Sequence, residues 1–306
     1  IPDISEKRRT LAAQRITQER RWRILFVGRS VNGSTDVVSC LYRALVNLGH
    51  HVLNLDTKLH RDAIDNPHRL QGGQGPIYIK LSYIRPILDR FRPQVIVLCA
   101  GGLTFTPETL DALRARGIVL IGLTLSDPDV FPGVSTYAGA FDFHTTNARQ
   151  ALAMYEAAGV HNTLYFPFGI DRGFVTQPVP RAPDLAADVI CLGHARPERV
   201  EVMTRLAERF DVRTYGRGWN LPRSEIVEGM RMLQASREGR IHVNFPGTRA
   251  GHVNVKCGVF ETIGNGALLC TGIFPEMERF FEYGSEIIGY DGHEDLAEQI
   301  DRIPAP

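Results

Sequence analysis

The sequence predicts an α/β protein of two doubly wound, Rossmann-like domains, and three observations carry that prediction. Short apolar runs ending on glycine or a polar residue alternate with stretches whose apolar residues recur every three to four positions, the pattern of parallel βα units. The alternation breaks once, where Pro167, Gly169, Gly173, Pro178, Pro180 and Pro183 crowd together, and then resumes. The length of 306 residues suits two domains of ordinary size. On this pattern the chain divides into a polar N-terminal helix within 1–22, a first domain at 23–175 and a second at 176–306. The two domains are expected to face each other across a cleft, with ligands outside the carboxyl ends of the strands.

The elements follow in order. Residues 5–20 are polar and arginine-rich and read as a surface helix. The run Ile24-Leu25-Phe26-Val27, closed by Gly28, is a buried strand. Val37, Leu41, Leu45 and Leu48 have helical spacing over 36–48, and Gly49 stops that helix. A strand at 51–55 and a helix at 77–91 come next. Strands are expected at 94–99, 119–124, 141–144 and 163–166, with helices at 107–116 and 148–158. After the proline- and glycine-rich stretch, strands at 188–192, 212–215, 241–244, 267–270 and 286–290 alternate with helices at 198–210, 224–236, 259–263, 275–281 and 293–300.

Composition removes several function classes. Hydrophobic residues at 43% and charged residues at 23% are ordinary globular values. Lys+Arg 35 against Asp+Glu 34 leaves no net field to draw the chain to nucleic acid or a membrane surface. No apolar stretch reaches the length of a membrane span, and the charged start lacks the apolar centre of a secretion signal. Cys40, Cys99, Cys191, Cys257 and Cys270 are well spread and show no metal-ligand spacing, as expected of reduced thiols in a cytoplasmic protein. Nothing in the sequence fixes an oligomeric state.

The loops after the strands hold the candidate chemistry. Gly28 and Gly33 bracket four residues as in a phosphate-binding loop, but Ser34 stands where the phosphate lysine belongs, and GxGxxG is absent. Gly33 and Ser34 remain small residues at a helix start that suit a polar ligand. Asp127, held non-helical by Pro128, is expected to project from a strand end as a general base or to cap a turn. His144, near the end of its strand, and Asp36, at the first helix start, are the other candidates. In the second domain Gly193 and His194 lead to Arg196 and Arg199, whose guanidinium forks suit phosphate oxygens. Tyr215 and Gly216 lead to Trp219, an aromatic placed to stack on a base or to pack. Asn244 and Arg249 precede Lys256, one of only four lysines. Phe260 and Glu261 follow. A carboxylate such as Glu261 at a helix opening can grip two ribose hydroxyls, or simply complement the helix dipole.

The block from Lys256 through Phe260-Glu261 and Gly266-Ala267-Leu268-Leu269 continues into Pro275-Glu276-Met277 with Phe280-Phe281, then Gly284-Ser285-Glu286-Ile287. Together with Ser126-Asp127-Pro128, Leu192-Gly193 with Arg199, and Tyr215-Gly216 with Trp219, it resembles the CgeB-like (spore maturation protein) glycosyltransferases of GT-B fold. The resemblance spans about residues 22–300. It implies transfer of a sugar from a nucleotide diphosphate sugar on the second domain to a small-molecule or glycan acceptor on the first, without a bound metal or other cofactor. Two departures stand out. Gly258 replaces the family's usual arginine, and Ser126 replaces the first aspartate of an Asp-Asp-Pro corner. Val253 stands where many retaining GT-B enzymes have a glutamate, so retention and inversion both stay open. Two other readings also stay open: a GT-B module that binds nucleotide or glycan without transfer, and a GT-B sugar-nucleotide epimerase.

Overall fold

The computed structural model describes residues 21–29, 36–66, 75–99 and 102–304. The helix expected at 5–20, and Gly33 and Ser34, lie outside them. The chain forms two compact units, Ile1–Pro167 and Phe168–Pro306. The division falls where the proline- and glycine-rich stretch begins, somewhat ahead of residue 175.

The first unit runs β1 Arg23–Gly28, α1 Val37–Asn47, β2 His51–Asp56, β3 Ile64–Asp65, β4 Ile77–Ile79, α2 Leu81–Arg90, β5 Val95–Cys99, β6 Leu103–Thr104, α3 Pro107–Ala115, β7 Val119–Thr124, α4 Phe131–Val134, β8 Phe143–Thr146, α5 Arg149–Ala157 and β9 Thr163–Tyr165. Its main sheet has six parallel strands in the order β2-β1-β5-β7-β8-β9. The strand period of two explains the continuous apolar runs, because both sheet faces are covered. Leu25, Val27, Ile96, Leu98 and Leu120 feed one core cluster. Ile24, Phe26, Val95, Val97 and Val119 feed the other, against Val38, Leu41 and Leu45 of α1. Helix starts follow capping chemistry. Asp36 caps α1, and Thr106 caps α3 with Pro107 next in line.

The second unit runs α6 Arg172–Thr176, β10 Ala187–Leu192, α7 Pro197–Leu206, β11 Val212–Tyr215, β12 Ser224–Glu225, α8 Met230–Glu238, β13 Gly239–Asn244, α9 Cys257–Gly264, β14 Leu269–Gly272, β15 Ile288–Tyr290 and α10 Gly292–Asp301. Its six strands are parallel in the order β12-β11-β10-β13-β14-β15. Val189, Cys191, Ile241, Val243 and Cys270 pack against Val202, Met203 and Leu206 of α7 and Leu296 and Ile300 of α10.

Several elements differ from the sequence expectation. Ile77, Tyr78 and Ile79 do not begin the helix expected at 77–91. Their β-branched and aromatic side chains form β4, which joins β3 and β6 in a separate three-stranded sheet. Ser224–Glu225 is a strand, and the helix starts only after Gly229, whose φ of 58° breaks the backbone direction. The helix expected at 275–281 shrinks to a single 3-10 turn, Met277–Arg279, after which Phe280 and Phe281 turn inward onto Phe260. Two strands sit two residues later than expected, β8 at 143–146 and β14 at 269–272. Pairing sets their register, with Gly122 opposite His144 and His242 opposite Leu269.

Candidate active site

In the second unit the chain leaves β10 toward β11 and returns on the other side of β10 as β13. Open α/β sheets bind ligands outside the carboxyl ends of the strands at such a switch point. Three basic side chains meet there. Arg196, the N-cap residue of α7, donates Nη1 to the Gly247 carbonyl at 3.2 Å. Lys256, the N-cap residue of α9, donates Nζ to the same carbonyl and to that of Phe245 at 2.7 Å. Arg199 is only 7% exposed; its Nη1 donates to the His194 carbonyl at 3.0 Å and its guanidinium lies 5.7 Å from the Phe245 ring centre. Burial holds the Arg199 pKa below its ordinary value, and its Nε is enclosed without a hydrogen-bond partner. Arg196 and Arg199 thus rest on carbonyl oxygens and an aromatic face. Cations held this way suit an incoming anion. Neither α7 nor α9 has a side-chain cap, so two positive helix ends add to the same edge.

The surrounding loops are built around close backbone contact. Gly193 and Gly216 have φ of 133° and 138°, and a Cβ on Gly216 would collide with the Gly193 carbonyl. Gly193 N–H donates to the Tyr215 carbonyl at 2.8 Å and Ala195 N–H to that of Arg217 at 2.9 Å, lacing the two loops together. Trp219 serves this frame. Its Nε1 donates to the Gly193 carbonyl at 2.8 Å and its ring packs on the core, so it is a tie rather than an open stacking platform. Asn244 is likewise engaged, donating Nδ2 to Thr271 Oγ1 at 2.8 Å across the sheet. Phe260 packs against Phe280 and Phe281. His194 and Arg249 are exposed, the latter at the tip of a turn whose sides pair at Gly247 and Val253. Glu261 does not open its helix. α9 begins at Cys257, which places Glu261 half-buried in the second turn.

A buried histidine fixes α9. His242, 3% exposed, accepts from Leu192 N–H through Nε2 at 3.3 Å, which leaves its ring proton on Nδ1 facing Thr262 Oγ1. Thr262 in turn donates to the Gly258 carbonyl at 2.7 Å. This chain of hydrogen bonds ties strand β13 to the first turn of the helix that follows Lys256. Reasoning from the sequence missed it, and a histidine in an apolar strand pattern is the one signal that could have found it.

In the first unit the three acceptor-side candidates part company. Asp127 is 1% exposed rather than projecting: the loop folds back so that Tyr155 Oη donates to its Oδ1 at 3.2 Å, and its own N–H donates to Asn147 Oδ1 at 3.0 Å. Burial pushes its carboxyl up to about 6, against the opposing pull of hydrogen bonds from Thr146 and Tyr155. His144, the second residue of β8 rather than its end, is 1% exposed and shares hydrogen bonds with Thr124 at 2.9 Å and Thr163 at 3.2 Å. Burial lowers it to about 4, so it is a neutral core histidine. Asp36 alone is exposed. It accepts from the N–H groups of Val38 and Ser39 at 3.0 Å and from Ser39 Oγ at 2.8 Å.

Among the described residues no three of His, Cys, Asp and Glu gather to hold a metal ion, and no helix is long and apolar enough to cross a membrane.

Residues 196–305 match the family model described as glycosyl transferase-like. No curated protein matches the sequence. In fold the chain is similar to HepE of Anabaena, solved with UDP and glucose, with a TM-score of 0.56 and 11% identity over 92% of this chain and 89% of that one. It is similar to a glycosyltransferase of Rickettsia africae, with a TM-score of 0.57 and 11% identity over 92% and 88%. It is also similar to an α-glucosyltransferase solved with UDP-glucose and DNA containing an abasic site, with a TM-score of 0.55 and 11% identity over 92% and 89%. The fold is the pair of Rossmann-like domains seen in GT-B glycosyltransferases, and residues 196–305 carry the glycosyl transferase-like domain.

Proposed function

We propose that Lys256, Arg196 and Arg199 hold the diphosphate of a nucleotide diphosphate sugar, whose sugar passes to an acceptor hydroxyl or amine without a bound metal. One observation carries this assignment: Lys256 and Arg196 converge on the Gly247 carbonyl at the β10–β13 switch point. As the glycosidic bond breaks, its electron pair goes to the leaving diphosphate. Cations and helix N-termini already aimed at that charge favour the transition state without reorganising. Glu261, half-buried on the helix that Lys256 caps, is the ribose anchor. The UDP bound in the Anabaena structure makes UDP the first nucleotide to test. The Lys256 to Leu269 blocks support the CgeB-like subfamily, with Gly258 as its departure. On the acceptor side, Asp127 and His144 have no open face, so the accessible Asp36 is the group that orients or deprotonates the acceptor. The five free cysteines fit a reducing cytoplasm.

Calorimetric titration of UDP and of uridine into wild type and Lys256→Ala tests this. UDP affinity is expected to fall by about 2 kcal/mol, the loss of charged hydrogen bonds, while uridine affinity stays the same. Equal weakening of both ligands would remove Lys256 from the phosphates. Turnover of a UDP-sugar is expected to persist in excess EDTA; turnover lost in EDTA and restored by Mg²⁺ would overturn the metal-free reading.

A further inference from the structure

The first unit has a cavity at the amino ends of its strands, the edge opposite the one where open α/β sheets take their substrates. β1, β5 and β7 lie side by side, and Arg23, Gln94 and Ile118 stand at or just before their first residues. With Arg92, Arg116, Asp89 and Leu88 they line a space of about 560 Å³. Small-molecule sites occupy roughly 300–1,000 Å³. Bonds between the strand starts fix its walls. Arg23 N–H donates to Gln94 Oε1 at 3.0 Å, Gln94 N–H to the Arg23 carbonyl at 2.8 Å, and Val119 N–H to the Gln94 carbonyl at 2.9 Å. Leu88 and Ile118 supply the apolar part of the lining.

The three arginines are exposed, and two of them have structural duties. Arg23 donates Nε to the Arg92 carbonyl at 2.9 Å, and Arg116 pairs with Asp89 at 2.9 Å. Arg92 differs. In the turn between α2 and β5 it holds φ of 50°, alone among the described non-glycine residues in having a positive φ. Glycine takes that backbone without strain, and an arginine there is a functional pointer. Its guanidinium makes no hydrogen bond or ion pair with the described residues. Asp89 contributes one negative charge, and the carboxyl ends of α2 and α3 about half a charge each. Three guanidiniums exceed that sum by about one. We propose that this cavity is a second binding site, for a sugar phosphate. Its phosphate oxygens take the guanidinium forks of Arg92 and its two neighbours. A ring hydroxyl donates to Asp89, whose carboxylate has acceptor sites beyond its pair with Arg116, and the C–H face of the ring lies toward Leu88 and Ile118. Lying away from the carboxyl ends of the strands, the site takes an effector rather than a reacting substrate. It stands independently of the donor-site reading.

Full-length wild type, Arg92→Gly, Arg92→Gln and Lys256→Ala, each with UDP in excess, are titrated calorimetrically with glucose-1-phosphate, glucose-6-phosphate and glucose. At least one sugar phosphate is expected to bind wild type more tightly than glucose does, and to bind both Arg92 variants about tenfold more weakly, the loss of a charged hydrogen bond. Lys256→Ala is expected to bind it as wild type does, which separates this cavity from the proposed diphosphate site whether or not UDP occupies the latter. Arg92→Gly keeps the carbonyl that Arg23 uses and relieves the left-handed backbone, so its melting temperature is expected to be no lower than that of wild type. A role in folding alone would lower it. Arg92→Gln carries the test if the glycine variant does not fold. The proposal is overturned if neither sugar phosphate binds wild type, if binding survives in the Arg92 variants, or if it is lost in Lys256→Ala instead. It is also overturned if vesicles containing phosphatidic acid bind in an Arg92-dependent way while the free sugar phosphates do not, which assigns the arginines to a membrane surface.

Discussion

At the scale of single residues, three buried titratable groups set how this chain responds to pH. Asp127 is raised from 3.8 to about 6, chiefly by burial. A carboxyl raised in the fold contributes stability that is present below its unfolded value and lost as pH rises through 6. At neutral pH the ionised, enclosed carboxylate therefore costs about 3 kcal/mol. His144 and His242 are each lowered from 6.5 to about 4, again by burial. Their contribution is present above 6.5 and lost as pH falls through 4. Between 4 and 6.5 the aspartate and the two histidines therefore pull in opposite directions. Asp127→Asn keeps an oxygen that accepts from Tyr155 and removes the ionisable proton. Urea unfolding at pH 7.5 is expected to show the variant more stable by about 3 kcal/mol. That advantage shrinks as pH falls from 6 toward 4, because the wild-type carboxyl then takes up its proton and recovers the cost, while the histidines are common to both proteins. An unchanged or lower stability at pH 7.5 means that the Asp127 carboxylate is better solvated by Thr146 and Tyr155 than its burial implies.

At the scale of elements, the proposed donor site depends on where α9 begins and how it is held. The sequence predicted a helix at 259–263 and put Glu261 near its opening. In the structure α9 starts at Cys257 because the His242–Thr262–Gly258 chain secures its first turn, a tertiary contact that helical periodicity cannot report. Gly258 lies in that first turn, and a Cβ built on it meets nothing within 4 Å. Its glycine is therefore not required by packing, unlike Gly216, whose Cβ would collide with the Gly193 carbonyl. Gly258→Arg is expected to fold normally and to place a guanidinium beside Lys256 at the same helix end. UDP affinity then rises about tenfold, one charge-assisted hydrogen bond, as read by titration calorimetry. A folded Gly258→Arg that binds UDP no better than wild type places the diphosphate away from the first turn of α9.

At the scale of the whole molecule, the two parallel sheets were legible because strands buried on both faces write their own signature, as in Leu25-Phe26-Val27 and Val95-Ile96-Val97. The basic residues now proposed to hold the diphosphate stood out in the sequence because Arg196 and Arg199 follow a strand–glycine corner and Lys256 is one of only four lysines. The burial of Asp127 and His144 was not, because it depends on Tyr155, Thr124 and Thr163, which reach them from other elements. The three-residue β4 was hidden because Ile77 also fits the helical spacing that continues into Ile84 and Leu88. Each unit also carries its own optical reporter. The chain has 2 tryptophans, Trp22 in the first unit and Trp219 in the second. Trp22→Phe leaves Trp219 to report the unfolding of the second unit, and Trp219→Phe leaves Trp22 to report the first. UDP at 100 times its dissociation constant stabilises the unit that binds it by about 2.7 kcal/mol, a rise on the order of 8 °C for a unit of this size. The Trp219 transition is expected to move by that amount, and the Trp22 transition by much less. If UDP instead raises the Trp22 transition and leaves Trp219 in place, the nucleotide belongs to the first unit, and the cations at the β10–β13 switch point serve some other anion.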